Sequence, residues 1–259
     1  RRSLIKNYDA IENLWAQYSL KDNEDSINSL FEIQLREAAK NKQNIIIDNT
    51  NLSKSKNERL ERLLKNYGYV EIDYINFNLT DNINFYLENN QNRINTIPMR
   101  AINDQYLLAA QSGYLELSRS NIALVDIDGT VAIKCDRSPF EYNKADKDLP
   151  NQYVIDTINA LYETKRIDYI QFLSGRESYS YELTRNWLIK HGFDMNKHRL
   201  LMRRTGDHRK DAIVKQEIYE TCLKQNAIKY LFDDRNQVVD MWWDNKLPVF
   251  HVGDYRNVF

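Results

Sequence analysis

From Asn121 to the carboxyl end, the chain alternates short apolar runs with helical stretches, and this alternation limits the fold more than any other feature. Strands are predicted at Ile122–Ile127, Asp168–Leu173, Arg199–Arg203, Ile228–Phe232 and Pro248–Val252. Helices are predicted between them, at Gln152–Lys165, Tyr179–Lys190, Lys210–Gln225 and Gln237–Asn245. Repeated strand-helix-strand units build a parallel sheet with helices on both faces. Such sheets take ligands at the carboxyl ends of their strands, so the residues just past each apolar run deserve the closest reading.

The first half is less regular. It reads as helical to about Lys40, with a short buried strand at Asn44–Asp48. Ser53 is placed to cap a charged helix that runs to Tyr67 and stops at Gly68. A second strand is expected over Val70–Phe77, a helix capped by Thr80 reaches Asn90–Arg93, and another helix follows Pro98 around Ile102–Gln111. The polar stretch Gln111–Asn121 reads as the boundary between two domains, 1–115 and 121–259.

Composition narrows the setting. Acidic and basic residues nearly cancel at a formal net charge of −1, which argues against coating nucleic acid through bulk charge. The two cysteines, Cys135 and Cys222, have no metal or disulfide spacing, and no apolar run is long enough to span a membrane. A soluble, cytoplasmic setting is the expectation, with no membrane partner. The chain starts at Arg1 without an initiator methionine, so residues upstream are expected.

Four strand tips carry chemistry. Asp126-Ile127-Asp128-Gly129-Thr130 puts two carboxylates two residues apart. Asp126 can attack phosphorus to form an acyl phosphate, while Asp128 can protonate the leaving oxygen and later activate water. Gly129 allows a sharp turn under a phosphate, and Thr130 can bond a phosphate oxygen. Ser174-Gly175-Arg176 supplies a hydroxyl and a guanidinium at the next tip. Lys210, opening the following helix, can hold the aspartate and phosphate together. Asp233-Asp234 offers the hard oxygen ligands that Mg²⁺ prefers, so Asp126, Asp128, Asp233 and Asp234 form the expected metal set. Each tip alone also reads as a turn, a cap or a solvated charge run. Four in one order read as a magnesium-dependent phosphatase.

These motifs resemble the haloacid dehalogenase superfamily. The likeness is closer still to the 3′-phosphatase domain of the polynucleotide kinase-phosphatases of bacteriophages, which repair RNA ends. It is carried by Asp126–Thr130 with Arg137-Ser138-Pro139-Phe140, by Arg203–Asp211, and by Asp233–Trp242. The resemblance implies a Rossmann-like α/β phosphatase domain with Asp126 as nucleophile and Asp128 as general acid-base. Ser174 and Lys210 would hold the phosphoryl group, with Arg137 and Arg176 on the substrate phosphate or nucleic-acid end. It implies RNA or DNA 3′-ends as substrates and self-assembly, as in the phage enzymes.

The first half resembles the end of a P-loop 5′-kinase domain, giving a partial kinase α/β domain ahead of the phosphatase. Asp48 and Thr50 match its substrate-binding strand end, Arg93 matches a lid arginine, and Arg1–Leu4 match the segment after its general base. No Gly-x-x-x-x-Gly-Lys-Ser/Thr loop occurs, so ATP binding and 5′-hydroxyl kinase activity are not expected. A basic cluster, Arg199, Arg203, Arg204, His208 and Arg209, is placed to meet a phosphodiester backbone. The alternative reading is a phosphatase of a small phosphorylated metabolite with a non-catalytic N-terminal binding module.

Overall fold

The computed structural model describes residues 20–47, 52–74 and 79–253, which fall into two units, Arg1–Phe77 and Asn78–Phe259. In the first unit the described residues form two helices, α1 (Leu20–Lys40) and α2 (Lys54–Asn66). Ser53 takes the N-cap position of α2 with extended backbone, although its side chain makes no capping bond. The strands expected at Asn44–Asp48 and Val70–Phe77 do not form among the described residues 43–47 and 69–74. A strand needs a partner to take up its N–H and C=O groups, and the described part of this unit offers none. Asp48, Thr50 and Arg1–Leu4 lie outside the described residues.

The second unit is built on a five-stranded parallel sheet. Its strands are β3 (Asn121–Val125), β6 (Tyr169–Glu177), β7 (Arg199–Arg203), β8 (Ala227–Asp233) and β9 (Phe250–His251), in spatial order β7-β6-β3-β8-β9. Helices α5 (Gln152–Glu163), α6 (Tyr181–Lys190), α7 (Asp211–Ile218) and α8 (Asn236–Asp244) connect them. A π-turn, Tyr219–Leu223, extends α7. A small antiparallel pair, β4 (Ala132–Ile133) and β5 (Leu149–Pro150), lies between β3 and α5. The chain leaves β3 towards β7, then returns to the other side for β8. That reversal opens a crevice at the carboxyl end of β3.

Residues ahead of β3 belong to the same body. Helices α3 (Ile83–Gln91) and α4 (Met99–Gln111) are flanked by a parallel pair, β1 (Leu79–Thr80) and β2 (Leu115–Glu116). Asn82, not Thr80, caps α3, accepting from the Asn84 N–H. Ile83, Leu87, Ile102, Tyr106 and Leu107 share one core with Ala123, Phe172 and Leu200. The outer edge of β7 is covered by side-chain amides: Asn103 both donates to the Met202 carbonyl and accepts from its N–H, and Asn84 donates to the His198 carbonyl. Such cover removes a free strand edge. The contacts thus gather residues 78–120 into the same compact unit as the sheet. Among the described residues no helix is long and apolar enough to cross a membrane.

Candidate active site

The register of the sheet builds the site. Val125 lies opposite Phe232, and the Asp126 N–H donates to the Phe232 carbonyl at 3.0 Å. Asp126 and Asp233 thus leave adjacent strands side by side. With Asp234 they form a cluster whose carboxylate oxygens lie within 4.8 Å of one another. Gly129 is required beside it. Its φ is +86°, and a Cβ there would sit 2.0 Å from Asp234 Oδ2. Thr130 is fully buried, its hydroxyl 3.5 Å from Asp234 Oδ1, so it faces the acidic cluster.

A single ammonium answers these acids. Lys215 Nζ lies 2.6 Å from Asp126 Oδ1, 2.9 Å from Asp233 Oδ2 and 3.6 Å from Asp211 Oδ2. Burial alone would discharge Lys215, but Asp126, Asp233 and Asp211 keep it charged. Burial, joined by the charges of Asp233 and Asp234, pushes Asp126 well above the usual carboxylate range. Asp234 is pushed up to about 6 by burial and by Asp233. Three carboxylates facing one lysine leave an excess of negative charge. Hard oxygen donors in such a cluster suit a divalent cation. The Trp242 indole, from α8, donates to Asp233 Oδ2 at 3.2 Å and fixes one wall.

Asp128 faces another environment. Arg176 Nε and Nη2 donate to its two oxygens at 2.7 and 2.8 Å, and Arg137 Nη2 donates to Oδ1 at 2.6 Å. Both arginines are also held by buried Asp148, at 2.6 to 2.9 Å. Asp148 is anchored in turn by the Trp187 indole, which donates to its carbonyl at 2.8 Å. Burial opposes ionisation of Asp128, but the hydrogen bonds and charges of Arg176 and Arg137 prevail and hold it below the usual range. Its carboxylate therefore belongs to the arginine clamp and not to the metal cluster, a correction to the expected ligand set.

A family model for the polynucleotide kinase PNKP phosphatase domain matches residues 120–255, more than half of the chain. The chain belongs to this family. Among curated proteins, a viral protein named as a bifunctional polynucleotide kinase/RNA ligase, from Autographa californica nuclear polyhedrosis virus, is 29% identical over 241 residues, 88% of this chain. The match takes in only 34% of that relative, so the chain spans about a third of its length. Two solved chains from Pnkp1/Rnl/Hen1 RNA repair complexes are 27% and 26% identical, covering 92% and 95% of this chain and 83% and 86% of theirs, both at a TM-score of 0.47.

Membership in the PNKP phosphatase family makes this unit a haloacid dehalogenase-type phosphatase domain of the polynucleotide class and speaks against the small-metabolite alternative. Within the PNKP domain the lysine assignment changes. Lys210 is exposed at the N-cap of α7, and Lys215, five residues further along, reaches Asp126. Ser174 is buried at the tip of β6, its Oγ accepting from the Arg176 N–H. Sequence reading also passed over Asp211, which joins Lys215 to Arg203 (3.1 Å) and Arg235 (3.4 Å). A Cβ on Gly175 would lie 2.2 Å from Asp211 Oδ1, so only glycine fits beneath it. Lys215 and Asp211 are four apart on one helix and therefore share a face, a spacing that could have signalled them. Nothing local marks Asp148.

The expected basic cluster is largely spent inside the PNKP domain. Arg199 stacks over Tyr169 and bonds the Asp81 carbonyl, Arg203 holds Asp211, and Arg209 pairs with Asp207 and Glu217. Arg93, the matched lid arginine, is exposed in the turn after α3.

Proposed function

We propose that this chain is a Mg²⁺-dependent polynucleotide 3′-phosphatase working through an aspartyl phosphate, in the end repair of RNA or DNA. The observation that carries the reading is the pairing of Asp126 with Lys215 at 2.6 Å inside an acidic cluster of a PNKP-family domain. Mg²⁺ held by Asp126, Asp233 and Asp234 would neutralise the cluster, so that a phosphate dianion can approach it. An Asp126 oxygen bonds to phosphorus as the bond to the 3′-oxygen breaks. Lys215 and Ser174 hold the phosphoryl oxygens, with Lys215 keeping Asp126 aligned. Asp128 is ionised in the resting clamp, so it must first take up a proton, from solvent or from the incoming phosphate monoanion, before it passes one to the departing 3′-oxygen. It takes one back from the water that hydrolyses the acyl phosphate. Arg137 and Arg176 fix the orientation of Asp128 throughout.

Residues 1–115 are proposed as the remnant of a 5′-kinase domain, with Asp48, Thr50 and Arg93 as its matching positions and no ATP site of their own. A cytoplasmic setting, self-assembly and partners of the RNA repair kind complete the proposal. The test is phosphate release from a 3′-phosphorylated oligoribonucleotide with Mg²⁺. Release abolished by EDTA and by Asp126→Asn is the expected result, and release that survives Asp126→Asn would end the aspartyl-phosphate reading.

A further inference from the structure

The two arginines that clamp Asp128 each carry a tyrosine on the same loop. Tyr142 opens a 3₁₀ turn, Tyr142–Lys147, five residues after Arg137, and Tyr179 lies in the turn Ser178–Ser180, three residues after Arg176. Their ring centroids are 6.1 Å apart, with the planes tilted by 48°. The ring contact brings the two loops together. Tyr142 is half-buried and sits in the combined field of Asp128, Arg203, Asp211 and Arg235, between the clamp and the Lys215 side of the site. Tyr179 remains 42% exposed, and Phe140 on the same rim is 78% exposed.

Resting on the polynucleotide reading above, we propose that Tyr142 and Tyr179 form an aromatic platform at the mouth of the active site, on which the base of the 3′-terminal nucleotide stacks. A single exposed tyrosine calls for no explanation. Two in ring contact, on the loops that carry the arginines orienting Asp128, do. Every nucleobase offers a π-face, so such a platform selects a nucleotide end over a bare sugar phosphate without reading its sequence. Burial raises both phenols above their ordinary values, so the rings stay neutral at physiological pH.

The experiment compares steady-state kinetics of the Mg²⁺-loaded chain on two oligonucleotides. One ends in an ordinary 3′-phosphorylated nucleotide, and the other is identical but abasic at that last position. The wild-type chain should show a KM on the order of 10-fold higher for the abasic end, with kcat little changed. Tyr142→Ala and Tyr179→Ala should raise KM for the ordinary end by a similar factor and leave the abasic end alone, while Tyr179→Phe behaves as wild type. Equal wild-type KM for both ends would overturn the platform, and this arm requires no variant to fold. Alanine variants that weaken both ends alike would also overturn it, because that is the signature of a structural role. Hydrolysis of neither oligonucleotide would remove the polynucleotide reading itself and the platform with it.

Discussion

Asp126 and Asp128 stand two residues apart on one loop, yet their surroundings treat charge in opposite ways. Around Asp126, three buried carboxylates gather on Lys215, and the balance stays negative. Around Asp128, two guanidiniums and the second carboxylate of Asp148 make a closed, matched network. Each side is braced by a tryptophan from a neighbouring helix, Trp242 for Asp233 and Trp187 for Asp148. The first region is built to receive positive charge. The second is complete without it. One strand tip thus carries two carboxylates in opposite electrostatic settings, which is the division of labour the proposed mechanism asks of Asp126 and Asp128.

The comparison breaks most sharply at Lys215. Replacing it with methionine keeps the volume near that of the lysine stem but leaves Asp126 and Asp233 unanswered. Phosphatase activity should fall on the order of 10³-fold or more, as it should for Asp126→Asn. Turnover of a 3′-phosphorylated oligonucleotide measures this directly, and a Lys215→Met chain retaining a tenth of the activity would refute the role.

The sheet and the four strand tips were legible because parallel strands buried on both faces leave continuous apolar runs, and because Asp126, Ser174 and Asp233 follow such runs at once. What escaped was set by three-dimensional register. Lys210 and Lys215 are both near the start of one helix, and only the direction of the helix face separates them. Asp148 reaches the clamp across the β4–β5 excursion, where nothing in its neighbours suggests an ion pair. The strands expected before Phe77 rested on a short apolar run and on apolar–polar alternation, and either pattern becomes a strand only when a partner takes its hydrogen bonds. Nor does the sequence of α3 and α4 announce that their apolar faces and the Asn84 and Asn103 amides complete β7.

Asp148→Asn tests the matched side. It leaves two buried arginines sharing one carboxylate, so the expected cost is roughly 3–5 kcal/mol of stability, read as a lower thermal midpoint. The loss should be the same with or without Mg²⁺, because Asp148 takes no part in the acidic cluster. A loss that Mg²⁺ repairs would merge the two regions into one.

Gly129→Ala probes the acidic side without altering a charge. The new Cβ would collide with Asp234 Oδ2, and the positive φ adds backbone strain. Asp234 must then move, and Mg²⁺ affinity should drop roughly 10- to 100-fold. Titration of activity against Mg²⁺ reads this, and full recovery at saturating metal is expected if the nucleophile itself is undisturbed.

Proton linkage separates the regions further. Asp234 is raised to about 6 in the folded chain, so between pH 4 and 6 the folded state holds a proton that the unfolded chain has released. Its contribution to stability is therefore lost as pH rises through that window in metal-free protein. Buried His198, lowered to about 4 by desolvation, runs the other way and loses stability as pH falls from 6.5 to 4. The two oppose each other in a simple melt, so the informative quantity is the Mg²⁺-induced shift. That shift should grow as pH rises through about 6, because the cation displaces the proton on Asp234. His198→Gln should leave the Mg²⁺-induced shift unchanged, and a shift independent of pH would place the cation elsewhere.

The smallest expected effect is the one that settles the lysine assignment. Lys210 is exposed at the N-cap of α7, whereas Lys215 lies buried against Asp126. An α-helix turns about 100° per residue, so five residues rotate the side chain through more than a full turn and leave the two lysines on different faces. Asp211 is four residues before Lys215 and points with it, as their 3.6 Å contact shows. Lys210→Ala should therefore change kcat/KM by less than about 3-fold, as exposed charges of this kind contribute little. A modest rise in KM at low salt that vanishes at high salt would mark Lys210 as a long-range attractor of the anionic substrate. A fall in kcat as deep as that of Lys215→Met would mean that the loop before α7 closes over the phosphate during turnover and that the resting geometry describes only half of the cycle.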